Sequence, residues 1–217
     1  MKIHNLSEKN SVLNHFLGQI RDIKVQNDSM RFRRNIERIG EIMAYEVSKS
    51  LEYKAIQIQT PLGIKNTTEI ADQLVLCSIL RAGLTLHQGF LNCFDNAENG
   101  FISAYRHHPN NDEFFDVVVE YKAVADVNGK NVLLLDSMLA TGQSMLAVFH
   151  KLLQTGTPKE IHVAVIIAAP EGIKYLEKNL PDHCHLWIAA LDDNLNDKSY
   201  IIPGLGDAGD LAYGSKL

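Results

Sequence analysis

A chain of 217 residues with a net charge of −5 and 46% hydrophobic residues has the size and composition of one globular domain. The negative charge argues against a surface that binds the phosphate backbone of nucleic acids. The first ten residues lack the apolar core of a signal peptide, and no apolar run approaches the roughly 18 residues that span a bilayer. Cys77, Cys93 and Cys184 fit reduced thiols in buried elements. We therefore expect one soluble cytoplasmic domain, residues 1–217, with neither nucleic acid nor membrane as a partner.

The first predicted helix covers residues 28–50, where apolar side chains recur at three- and four-residue steps. Asp28 or Ser29 can cap its first turn. Residues 55–59 then alternate between apolar and polar side chains, and a turn-forming Thr-Pro-Leu-Gly segment follows. This pattern predicts a β-hairpin whose second strand lies near Glu69.

From residue 74 onward, apolar strands alternate with amphipathic helices. The predicted strands are residues 74–80, 101–105, 114–124, 132–135, 161–168 and 186–190, and the predicted helices are residues 84–94, 145–153 and 171–179. Alternation of this kind indicates a doubly wound, mainly parallel sheet that is flanked by helices. The predicted fold class is therefore α/β, with the N-terminal helical segment and a β-hairpin arm as additions.

Residues 131–144 combine an apolar strand, one carboxylate and a loop of small residues. The predicted strand ends at Asp136, and open α/β sheets bind ligands at the carboxyl ends of their strands. Residues 140–144 then supply free backbone N–H groups, two hydroxyls and a predicted helix N-terminus, which together favour a phosphate monoester. The loop has neither the Gly-Lys-Ser/Thr of a Walker loop nor the GxGxxG spacing of a dinucleotide fold. An ordinary strand–loop–helix turn is the alternative interpretation.

Two arginines follow predicted strands and are placed to reach the same crevice as Asp136. Arg81 precedes Ala-Gly, whose small side chains let a ligand approach the backbone closely. Arg106 follows the next strand along the chain. A guanidinium group binds two phosphate oxygens at once, so both arginines suit a pyrophosphate group. The adjacent His107 and His108 are either further phosphate contacts or solvated loop residues.

Residues 200–210 form a glycine-rich segment with two carboxylates. The aliphatic residues Ile201, Ile202 and Leu205 are expected to be buried, which is unlike a flexible polar tail. Backbone N–H and C=O groups that are held in such a loop can bind the edge of a planar base without any polar side chain. The segment is therefore a candidate base-binding loop.

Three of these segments resemble the uracil phosphoribosyltransferase branch of the type I phosphoribosyltransferases. Residues 136–144, Asp-Ser-Met-Leu-Ala-Thr-Gly-Gln-Ser, are similar to the loop that binds phosphoribosyl pyrophosphate (PRPP), and residues 79–84 are similar to the pyrophosphate-binding segment. Residues 200–210 match the uracil loop of that family nearly residue for residue. The edge of uracil presents acceptor, donor and acceptor, whereas cytosine would leave buried groups unpaired at a cost of about 1–3 kcal/mol each. The resemblance covers almost the whole chain.

The resemblance implies an enzyme that transfers the phosphoribosyl group from PRPP to N1 of uracil, giving UMP and pyrophosphate in pyrimidine salvage. It implies catalytic roles for Arg81, Arg106 and Asp207. The residues that it implies for PRPP are Arg81, Arg106, Asp136, Ser137, Met138, Leu139, Ala140, Thr141, Gly142, Gln143, Ser144 and Asp207. Those that it implies for uracil are Ile201, Gly206, Asp207 and Ala208.

The resemblance also implies Mg²⁺ that is bound mainly through oxygens of PRPP and pyrophosphate, a homodimer or higher homo-oligomer, and activation by GTP. No metal-binding residues of the protein itself are predicted. The His-Cys-His segment at residues 183–185 has no second ligand pair at matching spacing, so it is expected to enter a strand.

Two positions depart from the family pattern, since Ser137 stands where proline is usual and Gln143 stands where glycine is usual. Serine is expected to loosen a turn after Asp136, and glutamine is unfavourable if position 143 requires a positive φ or a very close approach of the phosphate. The segment after Arg106 also lacks the acidic residues of the family. A nucleotide- or base-sensing protein with little transferase activity is therefore the alternative function. A transferase for another base is a third, against which the uracil loop argues.

Overall fold

The structure, a computed structural model, describes residues 1–107 and 116–215, apart from the side chains of residues 105–107 and 116–118. The strands are β1 Lys2–Asn5, β2 Tyr53–Thr60, β3 Gly63–Ile70, β4 Leu74–Leu80, β5 Glu98–His107, β6 Asp116–Ala123, β7 Asn131–Leu139, β8 Glu160–Ala168, β9 Cys184–Leu191, β10 Asn194–Leu195 and β11 Ile201–Ile202. The helices are α1 Val12–Arg21, α2 Ser29–Ser48, α3 Gly83–Leu91, α4 Gln143–Leu153, α5 Pro170–Asn179 and α6 Ala208–Tyr213, with a 3₁₀ turn at Leu6–Glu8.

The main sheet contains seven of the described strands, in the order β1-β9-β8-β7-β4-β5-β6. In this order, all neighbouring strands are parallel except the last pair, in which β6 is antiparallel to β5. Because β5 lies on one side of β4 while β7, β8 and β9 extend on the other, the direction of winding reverses between β4 and β7. Such a reversal opens a crevice at the carboxyl ends of the two strands.

Helices cover both faces of this sheet, which explains the unbroken apolar runs of its central strands. In β7, Leu133 and Leu135 pack in the cluster formed with α1, α2, α3 and α6. Val132 and Leu134 pack in the opposite cluster, formed with α4 and α5. All four side chains are completely buried. The predicted doubly wound, mainly parallel α/β fold is therefore confirmed.

The predicted helix at residues 28–50 is α2, and Asp28 caps it by accepting the Arg31 N–H at 3.0 Å. The predicted hairpin is formed by β2 and β3, with Lys54 opposite Glu69. Cys77 and Cys184 are buried as expected, but the prediction of burial for Cys93 is wrong, because Cys93 is exposed beyond the end of α3.

Besides the 3₁₀ turn, five elements are absent from the sequence prediction, namely β1, α1, β10, β11 and α6. The strand β1 extends the sheet by pairing in parallel with β9, and its register places His4 opposite Trp187. The helix α1 begins at the cap residue Ser11, whose hydroxyl accepts the Leu13 N–H at 3.2 Å. The helix α1 does have an apolar repeat, since Leu13, Leu17 and Ile20 are its buried residues, and the sequence prediction missed it. The other elements are too short to show a periodic pattern, so their positions come from the packing around them.

The hairpin of β2 and β3 forms a separate two-stranded sheet whose residues are almost all exposed. Ile58, Leu62 and Ile64 of this hairpin arm are exposed apolar side chains. Within residues 1–107 and 116–215, no helix has the length and apolar character needed to cross a membrane.

Candidate active site

A crevice of about 1120 Å³ opens where the carboxyl ends of β4 and β7 diverge. One of its two walls, the strand wall, consists of Arg81, Asp136 and the loop of residues 140–144. The other, the loop wall, consists of residues 197–209. The crevice is slightly larger than the roughly 300–1,000 Å³ that is usual for one small ligand. Its size therefore leaves room for two substrates side by side.

Asp136 lies within β7 and not at its end, so the predicted end of this strand is wrong. The pairing of β7 with β4 stops at Leu135, but its pairing with β8 continues as far as Leu139. Asp136 is therefore the first residue of β7 beyond the separation from β4, and its carboxylate lines the crevice. The position at the switch point remains as predicted, although the strand continues past it.

Burial raises the pKa of the Asp136 carboxyl from 3.8 to about 7. Hydrogen bonds from the N–H groups of Ser137 and Met138 lower the pKa, but the effect of burial is larger. The Ser137 N–H donates to Asp136 Oδ1 at 2.7 Å. A carboxyl group with a pKa near neutrality in a crevice is a frequent mark of a functional site.

Ser137 continues β7, so the turn that serine was expected to loosen is absent. Its backbone N–H donates to Asp136, a contact that proline has no N–H to make. Its hydroxyl is buried at the crevice and has no hydrogen-bond partner within the described residues. Buried hydroxyls are normally paired, so this oxygen is a candidate contact for a ligand or water.

The loop between β7 and α4 is shaped by Gly142, which caps the helix with a φ of +82°. A Cβ at this position would lie 3.1 Å from the Gly172 carbonyl oxygen, so both the backbone conformation and the space favour glycine. Gln143 is the first residue of α4 and does not have a positive φ, so the penalty that such a φ would bring for glutamine does not arise.

The strand wall brings together only part of the predicted PRPP set. Among the predicted residues, Arg81, Asp136, Ser137, Met138, Ala140 and Ser144 line the crevice. Thr141, Gly142 and Gln143 form the adjoining turn and helix start. The Leu139 side chain is buried in the core beside α4 and α5, so the predicted contact with PRPP is open only to its backbone.

Arg81 follows β4 directly and is held by the C-terminal segment. Its Nη2 donates to Asp210 Oδ1 at 2.9 Å, and its Nη1 donates to the Gly214 carbonyl oxygen at 3.2 Å. Its Nε is buried and makes no hydrogen bond to any described residue. Arg106 lies within β5 and does not follow it, so the predicted end of this strand is wrong, because pairing with β6 continues to His107. The side chains of Arg106 and His107 are outside what the structure describes, as is the whole of His108.

The predicted base-binding residues lie together in the loop wall. Ile201, Gly206, Asp207 and Ala208 all line the crevice. Ile201 and Leu205 are buried as expected, and so is Ala208, but the prediction of burial for Ile202 is wrong, because its side chain is 41% exposed. Asp207 is exposed and caps α6, because its Oδ1 accepts the Asp210 N–H at 2.9 Å.

The loop wall is fixed from behind by a buried ion pair that the sequence does not reveal. The Asp192 carboxylate is 4% exposed and accepts both Nη1 and Nη2 of Arg21. Asp192 Oδ2 also accepts the Gly204 N–H at 2.8 Å, and Arg21 Nη1 donates to the Gly204 carbonyl oxygen at 3.0 Å. Gln26 adds a bond from Nε2 to the Leu205 carbonyl oxygen at 2.8 Å. The backbone of the loop is thus held at two consecutive residues.

Three further residues of the loop wall are absent from the sequence prediction, namely Asp197, Lys198 and Ser199, and they lead into Tyr200, where the predicted loop begins. They form the turn between β10 and β11, where Asn196 Oδ1 accepts the N–H groups of Lys198 and Tyr200 at 3.0 and 2.9 Å. Lys198 adds a positive charge to the crevice. An Asn followed by polar residues signals a turn, but only the fold brings this turn to the crevice.

No group of three or more His, Cys, Asp or Glu side chains in residues 1–107 and 116–215 is arranged to hold a metal ion. The segment at residues 183–185 enters β9, as predicted. Carboxylates that line the crevice are Asp136, Asp197 and Asp207. Mg²⁺ binds through one or two carboxylates, water and substrate phosphates, so this donor set fits an ion that arrives with its substrate.

Comparisons with known proteins agree with this arrangement. The family model for uracil phosphoribosyltransferase matches residues 7–215. A uracil phosphoribosyltransferase of Porphyromonas gingivalis is 48% identical over 217 residues, which is all of both chains. One of Malacoplasma penetrans is 42% identical over 195 residues, covering 89% of this chain and 91% of the relative. The solved structure of the AQ2163 protein from Aquifex aeolicus is 30% identical, with a TM-score of 0.86 and 98% coverage of both chains. The similarity therefore extends over both walls of the crevice.

Proposed function

This chain belongs to the uracil phosphoribosyltransferase family, and from that membership we infer that it transfers the phosphoribosyl group from PRPP to uracil, giving UMP and pyrophosphate in pyrimidine salvage. The observation that carries the assignment of the site is the meeting of two unlike walls in one crevice. An arginine and a carboxylate on the strand wall lie beside a loop wall whose backbone is held in place at Gly204 and Leu205. The first suits a charged sugar phosphate, and the second suits a neutral base.

For PRPP we propose that the loop of residues 140–144 binds the 5′-phosphate and that Asp136 orients the ribose hydroxyls. The positive φ of Gly142 turns the chain into α4, whose N-terminus favours an anion. Arg81 and Arg106 hold the pyrophosphate in this proposal. The buried, unpaired Nε of Arg81 supports the first of these contacts, because it leaves a donor for substrate.

For uracil we propose that backbone groups of Ile201, Gly206 and Ala208 bind the base edge. The fixed backbone at Gly204 and Leu205 supports this, since hydrogen bonds that select one base need donors and acceptors at set positions. Asp207 lies at the ribose side and is the proposed acceptor of the N1 proton. One of its oxygens caps α6, so the other is the one that faces substrate in this proposal.

The reaction needs no covalent intermediate with the protein, because pyrophosphate is already a stable leaving group. Catalysis then rests on holding N1 of uracil against the anomeric carbon and on stabilising the positive charge that develops there. An ionised Asp136 in a poorly hydrated crevice attracts that charge more strongly than a solvated carboxylate would. We therefore propose that Asp136 is an electrostatic as well as an orienting group.

Mg²⁺ is the cofactor that phosphoribosyltransferases generally use with PRPP, and it would neutralise charge on the pyrophosphate. In this chain, Asp136, Asp197 and Asp207 are the carboxylates available to the ion or to its water ligands. We propose that substrate oxygens supply most of its ligands.

We also propose that the protein is a cytoplasmic homodimer or higher oligomer and that GTP activates it. The exposed apolar side chains of the hairpin arm support oligomerisation, because an isolated two-stranded hairpin is marginally stable without a packing partner. Light scattering tests the oligomer, and turnover with and without GTP tests activation. Activation and location are supported by the family resemblance.

The proposed function is tested by pyrophosphate release from PRPP against uracil, cytosine, hypoxanthine and orotate. We expect rapid release with uracil and little with the other bases. Release with hypoxanthine but not with uracil would overturn the assignment of the base. Tight binding of UMP, without pyrophosphate release from PRPP in the presence of any base, would instead establish the sensing alternative.

A further inference from the structure

The guanidinium group of Arg81 forms an ion pair with a carboxylate that has no role in the proposed reaction. Nη2 of Arg81 donates to Asp210 Oδ1 at 2.9 Å. Arg81 belongs to the strand wall, whereas Asp210 lies in α6, just after the loop wall. The pair therefore joins two parts of the crevice that are 129 positions apart in the chain.

Asp210 is not among the residues that line the crevice. Arg81 lines the crevice, but Asp210 lines a second recess beside it, together with Gln26 and Ser29. Gly209 packs closely on the guanidinium group, since a Cβ there would lie 3.6 Å from Nη2. A carboxylate in this adjoining recess holds the guanidinium without lining the crevice in which a substrate phosphate would bind.

The helix that carries Asp210 is itself held in place from several directions. Nη1 of Arg33 donates to the Ala212 carbonyl oxygen at 2.6 Å. The Tyr213 hydroxyl is 2.6 Å from the Thr85 hydroxyl, which ties the end of α6 to α3. Ala212 is buried in the core that α6 shares with α2. Asp210 is thus part of a fixed support, whereas an arginine side chain is long and rotates freely unless it is held.

We propose that Asp210 is a positioning residue for Arg81. It holds the guanidinium so that the remaining N–H groups, Nε among them, are directed at the pyrophosphate of PRPP. Because α6 follows directly on the base-binding loop, this contact also ties the leaving-group end of the site to the base end. The inference rests on the proposed function, in that it takes Arg81 as the pyrophosphate contact.

The test compares the binding of PRPP and pyrophosphate with the binding of UMP in Asp210→Asn, by calorimetry and steady-state kinetics. Asparagine keeps the size of the side chain and removes its charge. We expect pyrophosphate and PRPP to bind about tenfold more weakly and the KM for PRPP to rise in proportion. UMP contains no pyrophosphate, so its affinity should change by less than about twofold, which a general disturbance of α6 would not allow. Asp210→Glu should recover most of the loss.

The matched control is Asp193→Asn, which removes an exposed carboxylate just after β9 and should leave all three affinities unchanged. In an Arg81→Met background, Asp210→Asn should have almost no further effect on pyrophosphate binding, because the residue acts through Arg81. Additive losses in that double variant, equal losses for UMP and PRPP, or tighter PRPP binding in Asp210→Asn would each overturn the proposal. A wild-type protein that forms no UMP would contradict the proposed function instead, so the two failures are distinguishable.

Discussion

The two walls of the crevice are built on different principles. The strand wall presents Arg81, which follows β4, and Asp136, the first residue of β7 beyond its pairing with β4. The loop wall also has charged side chains in the crevice, namely Asp197, Lys198 and Asp207, but its backbone is held from behind by Arg21 and Asp192, which bind Gly204. Loss of a side chain in the strand wall should therefore act directly on substrate. Loss in the loop wall should act through the anchors of the backbone.

The largest effect is expected from Asp136→Asn in the strand wall. Removing the carboxylate next to the developing positive charge should lower kcat by about 100-fold or more. The amide oxygen can still accept the Ser137 N–H, so the backbone should be preserved. Turnover at saturating PRPP and uracil measures the loss. The control is Asp182→Asn, which changes an exposed carboxylate in the same way. A loss below about threefold would remove Asp136 from the reaction.

The same substitution should make the fold more stable at high pH. Because burial raises the pKa of Asp136 from 3.8 to about 7, the folded protein holds a proton there that the unfolded chain has already released. This contribution to stability is present below about pH 4 and is lost as the pH rises to about 7. At pH 8 the free energy of unfolding of Asp136→Asn should exceed that of wild type by up to about 4 kcal/mol, and the difference should vanish near pH 4. Denaturant titrations at both pH values measure it, and a wild type that is stabilised from pH 4 to pH 7 relative to the variant would contradict the assigned pKa.

In the loop wall, the anchor Asp192 is the position where substitution should matter most. Asp192→Asn leaves Arg21 without its charged partner, which should cost about 3–5 kcal/mol of stability, as for other buried pairs that lose one member. The KM for uracil should rise about tenfold while the KM for PRPP changes little, because Gly204 belongs to the base loop. The kinetic constants for both substrates provide the measurement.

The double variant Arg21→Met, Asp192→Leu separates the two consequences. It should recover much of the lost stability, because apolar residues can replace a buried pair, but it should not restore the KM for uracil. Recovery of both would show that the ion pair serves only the fold and that the loop wall needs no charged anchor.

A smaller effect is expected at Gly142, where the strand wall does depend on its backbone. Gly142→Ala places a Cβ near the Gly172 carbonyl oxygen at a φ of +82°. The substitution should lower the free energy of unfolding by about 1–3 kcal/mol and weaken the binding of PRPP about tenfold. The binding of uracil should change little. Thermal unfolding and the KM for PRPP are the measurements. An unchanged KM would place the 5′-phosphate elsewhere.

The smallest effect is expected at Gln143, although this position departs from the family pattern. Gln143 begins α4 with helical backbone, so Gln143→Gly should change turnover by less than about twofold and cost at most about 1 kcal/mol. An increase in turnover of tenfold or more would mean that glutamine does obstruct the phosphate loop, and it would revive the sensing alternative.

The strand wall could be predicted because its signals are local. An apolar run, Asp136 and a glycine loop follow one another within residues 131–144. What local signals did not reveal was the length of β7, which runs on to Leu139 because β8 still pairs with it after β4 has separated. For the loop wall, the sequence revealed the glycine-rich composition but not the contacts that hold its backbone.

The support of the loop wall comes from contacts between distant parts of the chain, which no sequence pattern reveals. Arg21 and Asp192 are 171 positions apart, and nothing in the sequence pairs them. The helix α6 has six residues with a glycine among them, so its helical tendency is weak. Contacts from Arg33 and Thr85 stabilise it instead, and these exist only in the folded protein.

The central claim, that one wall binds the sugar phosphate and the other binds the base, is tested most directly by a crystal structure with UMP. We expect the phosphate of UMP within hydrogen-bonding distance of backbone N–H groups in residues 140–144. The uracil edge should contact the backbone of Ile201, Gly206 and Ala208, with the ribose hydroxyls on Asp136. A base that lies against the strand wall, or a phosphate that lies against residues 201–208, would contradict this account.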